Sequence, residues 1–414
     1  MSYAPVLAAV FVLWPIMGLL GGQGYALLLA LAALPALALA RPKWPPALYA
    51  VPAILFVIWV IVGETWSPNS GQLVSGSLLE GNFAVKATSL RIFFTAAFTF
   101  LAVGGAMRIA DGSAQVSSRV MLGAFAAQGL ILAVSVIFSG PLLAAVYGAD
   151  PVAQTPGIQN FGRNANAFAL ILPILIAYLS ARPQFFWKPV VALLVVASLL
   201  FFTRVDTQSA MIGLVFMMVA MGLVQALPKL GFRILFTCIG AYIASAPMLI
   251  GTILRLLEAY NIHLPGSFQS RAWAWHVVIE KVAERPFVGH GIAASKTWRE
   301  TYSDHPDWLA HLPDSWADYA VIPGHPHNMA LQIWAETGMI GAVLVGFSLV
   351  LLGFRLPEPA KMREDIRFAI AGVTGVAFSL FNFAYNMWNE AFWSSVALAA
   401  IAIILLAKRR RESL

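Results

Sequence analysis

Long apolar runs separated by short polar breaks fill the chain from Tyr3 to Ala407. A helix needs about 20 mostly apolar residues to cross a bilayer core. Runs of that kind are predicted at roughly 4–21, 23–40, 46–63, 88–106, 119–139, 164–181, 188–203, 208–227, 233–254, 328–353, 367–386 and 391–407. The expected fold is therefore all-α and polytopic, with about twelve transmembrane helices. Gly21-Gly22-Gln23-Gly24 joins the first two runs tightly. The tenth run is long and contains Gly338 and Gly341, so a kink or half-break is expected there. The chain divides into 1–254 (nine helices), 255–327 (one large loop with short helices) and 328–414 (three helices). No internal repeat and no low-complexity tract interrupts this plan, and no appended soluble domain is expected. Met1-Ser2-Tyr3-Ala4-Pro5 has no positive region, so the first run is expected to be a retained span.

Composition narrows the class. Of 414 residues, 60% are hydrophobic and 11% charged, against about 45–50% and 25% in soluble domains. An ordinary soluble enzyme and a disordered chain are both excluded. The single cysteine, Cys238, excludes a disulfide framework and any multi-cysteine metal site.

The net charge of +7 changes meaning once it is placed on the spans. Twelve spans put both termini on one side. One set of breaks carries Arg41, Lys43, Arg108, Arg119, Arg182, Lys188, Lys229, Arg233, Arg355, Lys361, Arg363, Arg367, Lys408, Arg409, Arg410 and Arg411. That set has 16 bases against five acids (Asp111, Glu358, Glu364, Asp365, Glu412), a balance of +11; the other set has 10 bases and 14 acids, a balance of −4. The positive-inside rule makes the first set, and both termini, cytoplasmic. The basic charge is thus topology. No basic patch with base-stacking aromatics points to a nucleic-acid partner.

Three breaks on the other side are long: about 64–87, 140–163 and 255–327. Loops of such length usually carry function. All seven histidines (His263, His276, His290, His305, His311, His325, His327) lie in the last one, with Trp273, Trp275, Trp298, Trp308 and Trp316. The active face is expected outside the cytoplasm. Within this loop, Ser270 reads as the N-cap of a helix from Arg271 to about Arg285. Trp275, Val278, Ile279 and Val282 form its apolar stripe, Arg271 shares that face one turn earlier, and Pro286 ends it. Gly289-His290-Gly291 reads as a turn. From Trp298 to Tyr319, aromatics alternate with His and Asp. That composition suits stacking on sugar rings, and equally an amphipathic segment lying at a membrane interface.

Gly324-His325-Pro326-His327-Asn328 runs into the tenth span. His327 and Asn328 would sit at a helix N-terminus, where free N–H groups and the dipole favour a phosphate. Glu336, at membrane depth, is a functional candidate by default; the alternative is pairing with an arginine or capping an interrupted helix. Arg204, Arg271, Arg163 and Arg91 are cations outside the cytoplasmic set. Each is a candidate phosphate ligand, and each would also serve as a plain lipid-phosphate anchor. Asn164 and Asn166 open the sixth span, as caps or as substrate contacts.

Together these residues resemble the bacterial O-antigen ligase and polymerase superfamily, and the ligases in particular. His327-Asn328, nine residues, then Gly338-x-x-Gly341 is similar to the ligase signature of His followed by Asn, Ser or Gln, a nine-residue gap and Gly-x-x-Gly. Arg271 ahead of a Trp-containing helix, Pro286-Phe287-Val288-Gly289-His290-Gly291, and Asn164-x-Asn166-x-x-Ala169 also resemble the family. The resemblance implies a glycosyltransferase in the bacterial inner membrane with its site facing the periplasm. The donor would be a glycan on undecaprenyl diphosphate. The acceptor would be a lipid A–core sugar for a ligase, or another lipid-linked repeat for a polymerase. It implies no cofactor, and no metal for a ligase. One departure stands out. The family has Ser-Arg at the start of the eighth span, whereas Ser209 here is followed by Ala210. The role passes to Arg204 by position in the topology, not by motif.

Transfer builds negative charge on the leaving diphosphate, so fixed cations are needed. Arginine pairs with phosphate bidentately, which selects Arg204 and Arg271, with Arg163 as a third. His327 is the expected base, or the group that orients the acceptor hydroxyl. His325, Asn328, His290, Glu336, Asn164 and Asn166 are expected around the substrates. The layout suggests inverting displacement at the anomeric carbon. Two other classes remain: a metal site on His325-x-His327, and a twelve-span secondary transporter, which would show repeats and mid-span charges.

Overall fold

The computed structural model describes residues 2–76, 84–182, 186–304 and 316–409. His305, Trp308 and His311 of the large loop lie outside the described residues, as do Arg410, Arg411 and Glu412 of the basic tail. The first apolar run forms α1 (Ala4–Val12) and α2 (Trp14–Leu19), and the second α3 (Tyr25–Leu39). Then follow α4 (Ala47–Gly63), α5 (Thr88–Ala106), α6 (Gln115–Ile137), α7 (Ser139–Tyr147), α8 (Pro151–Ser180), α9 (Trp187–Arg204), α10 (Gln208–Ala226) and α11 (Gly231–Ala259). After these come α12 (Gly266–Glu284), α13 (Met329–Arg355), α14 (Glu364–Phe383) and α15 (Glu390–Ala407). A two-residue antiparallel ladder, Val74–Ser75 with Ala84–Val85, is the only named sheet among the described residues.

Ten of these helices are long and apolar enough to cross a membrane: α4, α5, α6, α8, α9, α10, α11, α13, α14 and α15. The first two expected spans appear as shorter apolar helices, Ala4–Leu19 and Tyr25–Leu39. The chain is a multi-pass membrane protein.

Two boundaries depart from the pattern reading. The helix expected from 164 begins at Pro151, where the Asp150 carboxylate accepts the Val152 N–H at 2.9 Å. A proline at the first helical position lacks an N–H the helix would leave unpaired anyway, so it starts the helix. Asn164 and Asn166 therefore sit mid-helix and cap nothing. The loop helix α12 begins at Gly266 behind Pro265, not at Ser270, whose hydroxyl bonds back to the Ser267 carbonyl at 3.1 Å.

The basic breaks gather at one end. Lys408 pairs with Asp111 at 2.9 Å, and the Gly112 N–H reaches the Lys408 carbonyl at 2.7 Å. Arg363 donates to the Leu406 and Arg409 carbonyls, Arg367 to Gln225, and the Ala360 N–H to the Pro228 carbonyl. At the opposite end the Ser89 N–H reaches Glu64, Arg91 pairs with Glu390 at 2.9 Å, and Ser267 meets Gln208.

α13 packs on α11 and α4 and only grazes α14. Between α13 and the α5, α14 and α15 side lie two apolar cavities of about 310 and 490 Å³. Val345, Leu349, Met387 and Trp393 line both, and Met329 and Trp388 stand near their outer ends.

Candidate active site

α13 breaks as the sequence suggests. Gly338 has φ 65° and ψ −169°, a region essentially reserved for glycine. A break at membrane depth frees backbone groups that no water can satisfy. The preceding loop supplies the partners. His290 and Gly291 N–H groups donate to the Ala335 and Glu336 carbonyls at 2.8 and 3.0 Å, and Trp59 Nε1 donates to the Thr337 carbonyl at 2.8 Å. In return the Met339 and Ile340 N–H groups donate to the Pro286 and Phe287 carbonyls at 2.8 and 3.3 Å. Segment 286–291 is thus a strap laid into the broken helix. Glycine makes the fit possible: a Cβ on Gly289 would stand 2.5 Å from the Glu336 carbonyl carbon, and one on Gly338 would stand 2.2 Å from the Phe287 oxygen.

Glu336, wholly buried beside the break, secures the next part of the loop. Its carboxylate accepts from the Ala293 N–H, the Ser295 N–H and hydroxyl, Gln332 Nε2 and Trp388 Nε1. Every partner is a donor, which an acceptor-only carboxylate satisfies and an amide would not. Of the two readings of Glu336, the geometry favours support of an interrupted helix, and no arginine is among its partners. His290 is likewise committed: Nε2 lies 2.8 Å from the Lys281 carbonyl, tying the end of α12 to the strap.

Asn328 caps α13, with Oδ1 accepting the Leu331 N–H at 3.0 Å. Its amide donates to the Tyr242 hydroxyl at 3.1 Å, which reaches Asn382 at 3.1 Å. Just before the cap, the turn at 324–327 is pinned from three sides. Trp275 Nε1 donates to the Pro326 carbonyl at 3.0 Å. The Ser295 hydroxyl lies 3.3 Å from the Gly324 carbonyl. The Ala384 backbone hydrogen-bonds to the His325 ring. His327 is held at φ 49°, a strained backbone for a residue with a Cβ.

His325 and His327 stack obliquely, with centroids 4.1 Å apart at 45°. Burial is the main cause that pushes both below the ordinary histidine value, His325 to about 4 and His327 to about 3. Lys296 adds to the effect on His325, and His325 and Arg271 add to it on His327. Both rings are neutral at neutral pH. Burial also holds Arg271 below its ordinary value, with its charge retained. Three polar atoms here are buried without a partner: Arg271 Nη1, His325 Nε2 and His327 Nδ1. A buried orphan polar group costs about 1–3 kcal/mol. Three of them fall in this one cluster, where the polar groups of a bound substrate would satisfy them.

The α8 residues stand on one side of this cluster. Asn166 accepts from Ser209 at 3.2 Å and bonds Tyr385, whose neighbour Ala384 holds His325. Arg163 bonds Asn160 at 3.3 Å and lies near enough to Tyr385 to act on it electrostatically. Asn164 instead turns into the core, accepting from Gln128, which also takes the Trp14 indole N–H. Arg204, the last residue of α9, is exposed and makes no hydrogen bond or ion pair with the histidines or Arg271. The turn after it meets α12 through Gln208 and Ser267 at 3.2 Å.

Residues 191–346 match the family model described as Wzy_C, O-antigen ligase. Over this segment the chain is similar to the O-antigen ligase family. A Rickettsia conorii protein with polysaccharide ligase in its name is 29% identical over 152 residues, 36% of this chain and 34% of that protein. One from Rickettsia typhi, similarly named, is 25% identical over 199 residues, 45% and 44% of the two chains. The chain thus spans less than half the length of these curated relatives. No solved structure matches it.

The matched segment holds Arg204, Arg271, His290, His325, His327, Asn328 and Glu336, and it closes just after the break in α13. Arg163, Asn164 and Asn166 fall before it. Several residues of the candidate site went unmarked in the sequence: Gln332, Tyr385, Asn386 and Trp388. Gln332 binds Asn386 at 3.0 Å and the Met387 N–H at 2.9 Å, clamping the α14–α15 link onto α13. A signal existed, since Asn328, Gln332 and Glu336 stand four apart on one face of an apolar helix. Among the described residues, no three His, Cys, Asp or Glu gather as a metal site.

Proposed function

We propose that the chain is a glycosyltransferase that moves an O-antigen glycan from undecaprenyl diphosphate to a sugar hydroxyl of lipid A–core, at the periplasmic face of the inner membrane. The observation that carries this is the cluster of buried, unpartnered Arg271, His325 and His327 at the end opposite the basic breaks. Arg271 holds the diphosphate as negative charge develops on it. His327, neutral at working pH, takes the proton of the acceptor hydroxyl as its oxygen attacks the anomeric carbon. The bond from that carbon to the diphosphate oxygen breaks with inversion, and no metal is required. Arg204, on the turn beside α12, and Arg163, beside Tyr385, are proposed as further cations at the rim. The apolar cavities along α13 support a hydrocarbon-tailed donor whose head lies at the histidines.

The test is transfer by the purified protein in nanodiscs. An undecaprenyl diphosphate-linked glycan is supplied with lipid A–core, or with a second linked glycan as acceptor. Glycan on lipid A–core, insensitive to EDTA, is the expected product. Chain extension on the linked repeat alone would make the protein a polymerase. Loss of activity in EDTA would bring back the metal reading.

A further inference from the structure

A third cavity, of about 560 Å³, lies between α6, α8 and α9. Leu122, Gly123 and Ala126 of α6, Phe168 of α8, and Leu194 and Phe201 of α9 stand on its walls. Its only polar side chains among the described residues are Ser198 and Tyr178. Both are already bonded: the Ser198 hydroxyl donates to the Leu194 carbonyl at 2.6 Å, and the Tyr178 hydroxyl accepts from Arg182. The cavity is a groove open to the side, since Gly123, Ala126 and Leu130 on its wall are exposed. α9 is the least buried of the ten long apolar helices, and a Cβ on Gly123 would meet nothing within 4 Å.

The depth of the groove is that of one leaflet. Its wall runs over 122–130 on α6, 168–179 on α8 and 190–201 on α9. At 1.5 Å per residue these stretches are about 12–16 Å long, close to half of a hydrocarbon core of about 30 Å. All three lie toward the basic end: α6 starts at Gln115, α8 stops at Ser180 and α9 starts at Trp187. A long polyprenyl chain is not matched by a groove that stops near mid-bilayer, at the end away from His325 and His327. A single acyl chain is.

The mouth of the groove is basic. Tyr178 stands on the wall there, and the Arg182 guanidinium carbon lies 4.8 Å from its ring centre and 5.8 Å from that of Trp187. The buried Arg409 approaches the same Tyr178 ring at 5.0 Å. Arg119 precedes Gly123 by one turn on α6 and shares its face. Lys188 opens α9 two residues before Val190, which lines the groove. Arg182 is fixed by aromatic rings and has no ion pair among the described residues. Asp111, Glu358 and Asp365, acids of the same end, are paired with Lys408, Lys361 and Arg363.

We propose that this groove is a binding site for one anionic glycerophospholipid, with an acyl chain between α6 and α9 and its phosphate at Arg182, Arg119 and Lys188. A guanidinium held flat on aromatic rings keeps its fork free for phosphate oxygens, and basic pockets between spans select anionic headgroups. A zwitterionic lipid would bring its ammonium into the same cluster. The bound chain supplies packing that α9 lacks against α6. The positive-inside rule puts this lipid in the cytoplasmic leaflet. The site itself depends neither on that assignment nor on the transfer reaction.

The experiment is native mass spectrometry of the full chain in detergent, titrated with phosphatidylglycerol or with phosphatidylcholine of the same acyl chains. Melting of each lipid-free variant is recorded beside it. One phosphatidylglycerol should be retained per chain, at least about 10-fold more tightly than phosphatidylcholine. Gly123→Leu fills the groove without touching a charge and should weaken phosphatidylglycerol binding by about 10-fold. Gly222→Leu, at another exposed glycine with open space around it, should bind as wild type does. Arg182→Gln should weaken binding by about 5-fold, and Arg119→Gln replaces it if that variant fails to fold. Equal retention of the two lipids overturns the proposal. So does full binding by Gly123→Leu, which would mean a headgroup held at the surface with no chain in the groove. Displacement by glycerol phosphate at equal concentration would likewise show a phosphate site alone. A dimer that retains no lipid would give the groove to a second copy of the chain and also overturn it.

Discussion

Gly338→Ala tests whether the strap truly completes α13. At φ 65° and ψ −169° any residue with a Cβ incurs about 1–3 kcal/mol of backbone strain. The added Cβ would also stand 2.2 Å from the Phe287 oxygen and 2.3 Å from its carbonyl carbon. Both are backbone atoms and have no rotamer to retreat into, so the strap must lift. Lifting breaks the Met339–Pro286 and Ile340–Phe287 hydrogen bonds. Each N–H left unpaired costs about 1–3 kcal/mol, and nothing at that depth replaces the lost partners. The sum is at least about 3 kcal/mol and up to about 9, a large share of a typical net stability of about 5–15 kcal/mol. Heating in detergent, with the surviving monodisperse fraction read by size exclusion, should show a midpoint lowered by about 5 °C or more. Gly222→Ala is the control, since a Cβ there meets nothing within 4 Å, and it should melt as wild type does. A Gly338→Ala protein that melts with the control, with full transfer activity, would refute the strap as a structural part of the helix.

The other predictions concern the site. Glu336→Gln should leave at least one of its donors facing another donor, lowering the melting point by an amount equivalent to about 1–3 kcal/mol; an unchanged melt would mean the carboxylate is not needed. Arg271→Ala should reduce transfer by about 100-fold or more, and Arg271→Lys should not restore it, because the planar fork is lost. Arg204→Ala should cost less than Arg271→Ala, as its exposed side chain is screened by water; parity between them in the transfer assay would bring Arg204 to the diphosphate. His325 and His327 are depressed in the folded state, to about 4 and about 3, from an unfolded value near 6.5. Their contribution to stability is therefore complete above about pH 6.5 and is lost as pH falls toward those folded values. Melting midpoints should decline through that window, while kcat stays level down to about pH 5; a kcat that falls with a midpoint at 6.5 would show that the base is not buried.

Much of this was legible because a membrane helix writes itself as an uninterrupted apolar run. Thr88–Ala106 and Gln208–Ala226 fall within a residue or so of the expected limits. The break in α13 was legible in Gly338, and the inward face of α12 in the one-turn spacing of Arg271 and Trp275, which meet His327 and Pro326. The early start of α8 was hidden because Pro151, Pro156 and Gly157 look like breakers, although the first of them is a starter. The partners of Glu336 were not legible at all. Ser295 and Trp388 lie 41 and 52 residues from it, and only the closed fold brings such distant donors to one carboxylate. Asn164 shows the converse, since a polar residue in a motif-like position proved to be tied to Gln128 in the core.

The exchange of hydrogen bonds between 286–291 and α13 has a consequence for the order of assembly. The strap precedes α13 in the chain, so it is synthesised before the helix whose gap it fills. The incoming helix arrives with a gap that only this earlier piece can fill. The loop is therefore expected to act as a template for the helix that follows it. Severing the chain between the strap and α13 should leave two pieces that reassociate, whereas deleting the strap should leave α13 without a stable seat.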